Sequence, residues 1–145
     1  MKHPNKKIMQ MAIEKSLKNL TLWVVIVKGD EIIAEAGGTI FSKDHDVTGH
    51  SEINAIRKAC KKMKNHDLSG CWIYTPYEPC TMCISAICWA KMRGVVYGAS
   101  HKDRNNIWPW GILIPSKKMI LKSDYKPKII GEFMRMGAKK VLDMK

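Results

Sequence analysis

The sequence predicts a three-layer α/β protein in which helices pack on both sides of a mixed central sheet of about five strands. Two observations favour this class. Amphipathic helical segments alternate with short apolar runs, and the later runs are apolar enough to be strands buried on both faces. An earlier pair of runs, separated by a short polar turn, indicates an antiparallel hairpin instead.

The first half of the chain contains a helix, the hairpin, a loop and a second helix. Ile8, Met11 and Ala12 share one face of the first helix. The second helix, "HSEINAIRKACKKMK", has apolar residues on one face and basic residues on the other. In chain order, the pattern predicts a helix over 6–20, strands over 20–27 and 32–38, a loop over 39–49 and a helix over 50–64.

The second half predicts a βαβ unit followed by a less regular region. "CWIYT" forms a strand that we expect to stop at Pro76, and "GVVYGAS" forms the next strand after an apolar helix. In chain order, the pattern predicts a strand over 71–75, a helix over 80–90, a strand over 94–100, an irregular region over 105–116, and a short strand with a terminal helix within 126–145.

Length and composition favour one domain over residues 1–145, with cytoplasmic localisation. The 145 residues suffice for one hydrophobic core, and no apolar run approaches the roughly 18 residues that span a bilayer. The N-terminus has lysines but lacks the apolar centre of a signal peptide. In a reducing compartment the five cysteines are explained better by metal binding or burial than by disulfides. We expect Cys60, Cys71 and Cys88 to be small buried side chains.

The formal net charge of +12 has two interpretations. Basic side chains favour polyanions such as RNA, because binding displaces condensed counterions. Alternatively, the lysines solvate the outer faces of the helices, which agrees with their distribution along the whole chain. Charge alone leaves both open.

Four residues form a candidate metal centre. Cys80 and Cys83 stand three apart at a strand-to-helix junction, where exposed helix amides stabilise the thiolates that bind metal. His50, at the start of the preceding helix, is the third candidate ligand. Glu52 converges on the same site only if His50 lies outside the helical phase. Three ligands leave one coordination position for water, which is typical of catalytic zinc, and Glu52 would then be the general acid and base.

These residues match the H-x-E and P-C-x-x-C signature of zinc-dependent nucleobase deaminases. The chain resembles the cytidine/deoxycytidylate deaminase-like superfamily, in the branch of bacterial guanine deaminase and the tRNA adenosine deaminases. The resemblance is carried from about residue 8 to about residue 103 by four blocks: "EIIAEAGG", "HSEINAIRKAC", "YTPYEPCTMCISAICWA" and "VVYGAS". It implies a single deaminase domain of the cytidine deaminase-like fold, with one Zn²⁺ per chain held by His50, Cys80 and Cys83.

The resemblance also implies hydrolytic deamination, in which Glu52 moves a proton from water to a ring nitrogen and then to the departing ammonia. The resemblance further implies that the backbone amide of Ser51 or of Cys80 hydrogen-bonds the substrate or the hydroxide. Thr39 occupies the position where many relatives have a substrate-binding asparagine. Trp89 lies in "ICWAK", which is similar to the "YWAR" of guanine deaminases, where an aromatic side chain borders the base.

Trp108 and Trp110 are further candidate substrate contacts, because their aromatic faces could cap the pocket. A tryptophan pair around a proline is equally compatible with a surface or dimer contact. The resemblance implies a homodimer or a higher homo-oligomer.

Three functions remain open on the sequence. The first is deamination of a free base or small nucleoside-like amino-heterocycle of the guanine or cytosine type, and the second is deamination of tRNA adenosine. The third is a non-catalytic zinc module that binds nucleic acid. Glu52 argues against the third, because a structural site has no use for a carboxylate beside an open coordination position.

Overall fold

The computed structural model of the chain describes residues 1–43, 45–104 and 110–144. In these residues a five-stranded mixed sheet lies between helices, which confirms the predicted fold class. The helices are α1 (Lys6–Asn19), α2 (Ser51–Met63), α3 (Thr81–Trp89), α4 (Ser116–Ile120) and α5 (Arg135–Leu142). The strands are β1 (Trp23–Lys28), β2 (Glu31–Gly37), β3 (Cys71–Tyr77), β4 (Gly94–Ala99) and β5 (Lys128–Ile130).

The strand order is β2-β1-β3-β4-β5. Strand β1 pairs antiparallel with β2, as the hairpin prediction requires, and antiparallel with β3. Strands β3, β4 and β5 are parallel. The connection from β3 through α3 to β4 is therefore the predicted βαβ unit, and the residues that follow β3 and β4 lie at the same edge of the sheet.

The core consists of two apolar layers, one on each face of the sheet. Val24 and Ile26 of β1 face α2 and α3, whereas Val25 and Val27 face α1 and α5. This division follows from the two-residue period of a strand. Every residue of β3 and β4 is buried, as expected for strands covered on both sides. In the described part of the chain, none of the helices combines the length and apolar character needed to cross a membrane.

Strand β3 differs from its prediction because it continues through Pro76 to Tyr77. Its pairing with β1 ends at Tyr74, while its pairing with β4 continues to Tyr77. The missing proline amide therefore costs no bond to β1, because the pairing of β3 with β1 has already ended at Tyr74. The extension matters for the site, since it carries β3 to within three residues of Cys80. Helix α4 was not predicted from the sequence.

The predicted burial of the three remaining cysteines is confirmed only for one. Cys71 is buried at the start of β3, whereas Cys60 and Cys88 are half-buried. Cys60 still packs against the core from α2.

Gly98 allows β4 to approach α5 closely. A methyl group at Gly98 would lie 2.2 Å from the Ala138 Cβ and 2.8 Å from the Pro76 carbonyl oxygen. We expect Gly98→Ala to lower the free energy of unfolding by about 1–3 kcal/mol, because the backbone must move apart. Gly137→Ala is the matched control, since its methyl would meet only Ile13 Cδ1 at 3.4 Å and alanine favours the helix. Urea denaturation of both variants tests this; equal effects would contradict it.

Asp103 anchors α5 to the turn after β4. Its buried carboxylate accepts hydrogen bonds from Arg135 Nη2 at 2.5 Å, from Arg135 Nε at 3.0 Å and from the Ser100 amide at 3.0 Å. The Arg135 guanidinium lowers the pKa of Asp103 to about 2. The folded protein therefore binds the proton of this carboxyl more weakly than the unfolded chain does.

This shift predicts a pH dependence of stability. The ordinary aspartate pKa is about 4, so the stabilisation is complete above about pH 4 and is lost as the pH falls toward about 2. We expect Asp103→Asn to lower the free energy of unfolding by about 1–3 kcal/mol at about pH 7. The difference from the parent protein should shrink between about pH 4 and about pH 2 in urea denaturation. A difference independent of pH would show that the charge of Asp103 does not contribute.

Candidate metal centre and active site

The candidate ligands lie at the N-termini of two helices that pack side by side. His50 is the N-cap of α2 and Cys80 is the N-cap of α3, and both have extended backbone conformations. His50 thus lies outside the helical phase, as convergence with Glu52 requires. An N-cap side chain usually accepts a hydrogen bond from a helix amide, but neither of these does so. Both side chains are therefore available to a metal ion.

The histidine nitrogen stands at the separation of tetrahedral ligands from each of the two cysteine sulfurs. His50 Nδ1 lies 3.6 Å from Cys80 Sγ and 3.5 Å from Cys83 Sγ, and all three donor atoms lie within 4.8 Å of one another. With Zn–S of about 2.3 Å and Zn–N of about 2.0–2.1 Å, a tetrahedral zinc ion holds its nitrogen and sulfur ligands about 3.6 Å apart. The two nitrogen–sulfur separations therefore fit a zinc ion.

The protonation of the cluster also suits metal binding. Hydrogen bonds from Cys83 and His50 lower the pKa of Cys80 to about 4, so this side chain is a thiolate. Cys83 donates to Cys80 and is buried, and both effects raise the pKa of Cys83. The hydrogen bond between His50 and Cys80 raises the pKa of His50. The thiolate is thus stabilised by two proton donors, and a bound metal would replace both protons.

Glu52 is a buried carboxyl group beside this cluster. It stands in the first turn of α2, is 5% exposed, and interacts with the Cys83 thiol. Burial, followed by the negative charge of Cys80, raises the pKa of Glu52 to about 7. A carboxyl group that exchanges protons near neutrality is suited to general acid and base catalysis.

Ser51 and Thr39 lie near the cluster but use their hydroxyls elsewhere. The Ser51 hydroxyl donates to the Leu22 carbonyl, so the group left for a substrate is its first-turn amide, which has no acceptor within the helix. The Thr39 amide donates to the Gly49 carbonyl at 2.7 Å, next to His50. The Thr39 hydroxyl accepts from Asn54 Nδ2 at 3.0 Å. Their predicted roles in substrate binding stay predictions.

The structure places Trp89 away from the cluster within one chain. Trp89 ends α3 about 9 Å along the helix axis from Cys83, given 1.5 Å per residue, and lines a separate cavity of about 660 Å³. Trp89 and Trp110 are both 83% exposed. Trp108 lies outside the described residues. Contact with substrate and contact with a second chain both remain predictions for these side chains.

Sequence reasoning missed three residues beside the cluster. Glu78 and Tyr77 directly precede Pro79 and Cys80, and His101 follows β4 at the same edge of the sheet. Tyr77 Oη lies 2.8 Å from His101 Nδ1, and His101 Nε2 lies 3.8 Å from Glu78 Oε2. Glu78 stands inside "EPCTMC", a block that the sequence analysis had already singled out. Its hydrogen-bond partners could not be read from the sequence, because they lie 23 and 38 positions later in the chain.

The chain is similar to curated proteins named as deaminases. It is 47% identical over 79 residues to a guanine deaminase of Bacillus subtilis, which covers 54% of this chain and 50% of that protein. It is 41% identical over 75 residues to a tRNA-specific adenosine deaminase of Agrobacterium fabrum, which covers 52% of this chain and 49% of that protein. The chain thus aligns with about half the length of these relatives.

A solved structure extends the similarity to nearly the whole fold. The structure comes from a study of A-to-I editing by tRNA:A34 deaminases at the wobble position of transfer RNA, and it matches with a TM-score of 0.75 and 26% identity. The match covers 94% of this chain and 96% of that chain. The mixed five-stranded sheet is therefore that of the cytidine deaminase-like fold.

A family model spans almost the entire chain as well. The match includes both helix N-termini that carry the metal cluster, and it extends through β5 into α5. By this match over residues 2–136, the chain belongs to the MafB19-like deaminase family.

Proposed function

We propose that the protein is a zinc-dependent hydrolytic deaminase that acts on a free nucleobase or a small nucleoside-like amino-heterocycle. One observation carries this proposal: the buried carboxyl of Glu52 lies beside three metal-ligand side chains with tetrahedral spacing. A purely structural zinc site needs a fourth ligand and no proton-transfer group. The arrangement instead supports catalysis with one open coordination position.

His50, Cys80 and Cys83 would hold the zinc ion. Zinc bound to three protein ligands makes a water molecule nucleophilic near neutral pH. The two helix N-termini place positive dipole ends at the site and stabilise the thiolates. The amide of Ser51 belongs to the first turn of α2, at one of these helix N-termini, and would orient the substrate.

Glu52 would move the protons of the reaction. It accepts a proton from the attacking water and donates it to the adjacent ring nitrogen as the amino-bearing carbon is attacked. It then takes the proton of the newly added hydroxyl group and delivers it to the departing amino group, so that the carbonyl forms as the carbon–nitrogen bond breaks. The products are the oxo-heterocycle and ammonia, so the reaction balances with one water consumed. A pKa raised by burial supports this role, because the same group must both accept and release a proton.

A second candidate is deamination of adenosine in tRNA. The formal net charge of +12 and the near-complete coverage of a tRNA:A34 deaminase structure favour it. The higher identity to a guanine deaminase than to a tRNA-specific adenosine deaminase favours the small substrate.

Ammonia release by the zinc-loaded protein tests the proposal. The panel contains guanine, cytosine, adenine, their nucleosides, and a tRNA anticodon stem-loop, with Glu52→Ala protein as the blank. Release from a small heterocycle that the substitution abolishes is the expected result. Release from RNA alone would favour the second candidate, and silence across the panel would contradict both.

A further inference from the structure

Glu78 is a buried carboxylate that links two distant backbone segments. It is 3% exposed and lies two residues before the candidate ligand Cys80. Its Oε1 accepts the His101 amide at 3.1 Å, and its Oε2 accepts the Ser116 amide at 2.7 Å. The Ser116 hydroxyl also donates to the Pro79 carbonyl at 3.3 Å. One side chain thus joins the end of β4 and the start of α4 to the turn that leads into Cys80.

These two amides mark the two ends of the segment that connects β4 to α4. His101 lies at the start of this segment, and Ser116 lies at its end, next to Pro79. Residues 110–115, which directly precede Ser116, are exposed and mostly apolar. Since Ser116 is held through Glu78, the distance between residues 110–115 and Cys80 depends on this carboxylate.

We propose that Glu78 is a positioning residue that holds residues 110–115 as one wall of the substrate site beside the metal centre. The wall role rests on the proposed deaminase function, whereas the anchoring role does not. A carboxylate is required because both bonds are accepted from backbone donors, and each of its oxygens serves one of them. A glutamine would offer one oxygen and one NH₂ group. The NH₂ group would face a backbone N–H donor, so one of the two hydrogen bonds to the backbone would be lost.

The first test is Glu78→Gln, examined by limited trypsin digestion and by steady-state kinetics. Trypsin sites lie close to both anchored amides, at Lys102, Arg104, Lys117 and Lys118. We expect cleavage there to accelerate by about tenfold, while cleavage within α2 keeps its rate. With the panel substrate of highest kcat/KM, KM should rise by about tenfold and kcat should stay within about threefold, because binding is loosened while the proton-transfer group is untouched. Zinc content should stay at one per chain.

A second pair of variants removes one donor and leaves Glu78 in place. Ser116→Pro deletes the amide at the first position of α4, where proline is well tolerated. Pro115 already has the extended conformation that a residue before proline needs, with φ −56° and ψ 139°. Ser116→Ala is the matched control, because it removes the hydroxyl and keeps the amide. We expect Ser116→Pro to reproduce both effects of Glu78→Gln, and Ser116→Ala to show neither.

The proposal would be overturned if Glu78→Gln and Ser116→Pro both had the trypsin cleavage rates and the KM of the parent protein. A collapse of kcat at unchanged KM, or loss of zinc, would also overturn it, because Glu78 would then serve catalysis or metal binding directly. If Glu78→Gln fails to fold, the Ser116 pair decides. If the parent protein releases ammonia from no substrate, the wall role falls together with the proposed function, and the digestion rates decide the anchoring role separately.

Discussion

Glu52→Gln is expected to lower kcat by about two to four orders of magnitude while the protein keeps its zinc, its fold and its affinity for substrate. This range is the usual contribution of a positioned general acid and base. Glutamine has nearly the same shape and keeps one of the two side-chain oxygens. It cannot take up and release the proton that deamination moves from water to the heterocycle.

The measurement is ammonia release under saturating substrate, with zinc content determined on the same samples. Glu31→Gln is the control, since Glu31 is an exposed carboxylate at the start of β2, away from the metal cluster. Its kcat should equal that of the parent. Undiminished turnover in zinc-loaded Glu52→Gln protein would show that the buried carboxyl is not the proton carrier, and the proposed mechanism would be wrong.

Cys83→Ala is expected to abolish stable zinc binding and, with it, activity. Cys83 is completely buried in the first turn of α3 and supplies one of the three donor atoms. Changes to outer groups of a zinc site already cost about 10–100-fold in affinity, so loss of a direct ligand should cost more than about a hundredfold. The alanine also leaves two ligands, which is fewer than zinc sites use.

Zinc-dependent stability measures this loss without reference to turnover. A ligand that binds only the folded state adds about 2.7 kcal/mol when its concentration is a hundred times the Kd. Zinc should therefore raise the thermal midpoint of the parent and of Cys88→Ala, a control in the same helix, and leave Cys83→Ala unchanged. An equal rise in all three proteins would place the zinc ion elsewhere.

The elements that the sequence predicted well are those with a strong local pattern. The amphipathic face of α2 and the uniformly apolar β4 are specified by neighbouring residues, because helices and strands have fixed periods. The same applies to the metal cluster. His50 and Cys80 each stand just before an apolar or amphipathic helix, and a parallel β3–β4 arrangement was predictable from the βαβ pattern.

Strand β3 shows where local pattern is insufficient. Proline normally ends a strand, yet β3 continues because its pairing with β1 ends at Tyr74 while its pairing with β4 continues to Tyr77. Which strand lies beside Pro76 is a property of the sheet order and cannot be read from the residues around the proline. The exposed position of Trp89 has a similar origin, since it depends on what covers the end of α3.

The sequence by itself determined the fold class, the two helix N-termini and the residue types that a metal centre needs. Only the tertiary structure decided that Glu52 is buried against Cys83, that His50 Nδ1 stands 3.5–3.6 Å from the two sulfur atoms, and that Glu78 accepts hydrogen bonds from the amides of His101 and Ser116. The physical reason is the separation along the sequence over which each kind of interaction acts. Periodicity and capping act between residues a few positions apart, whereas burial, pKa shifts and bonds to a buried carboxylate depend on segments that meet only when the chain has packed.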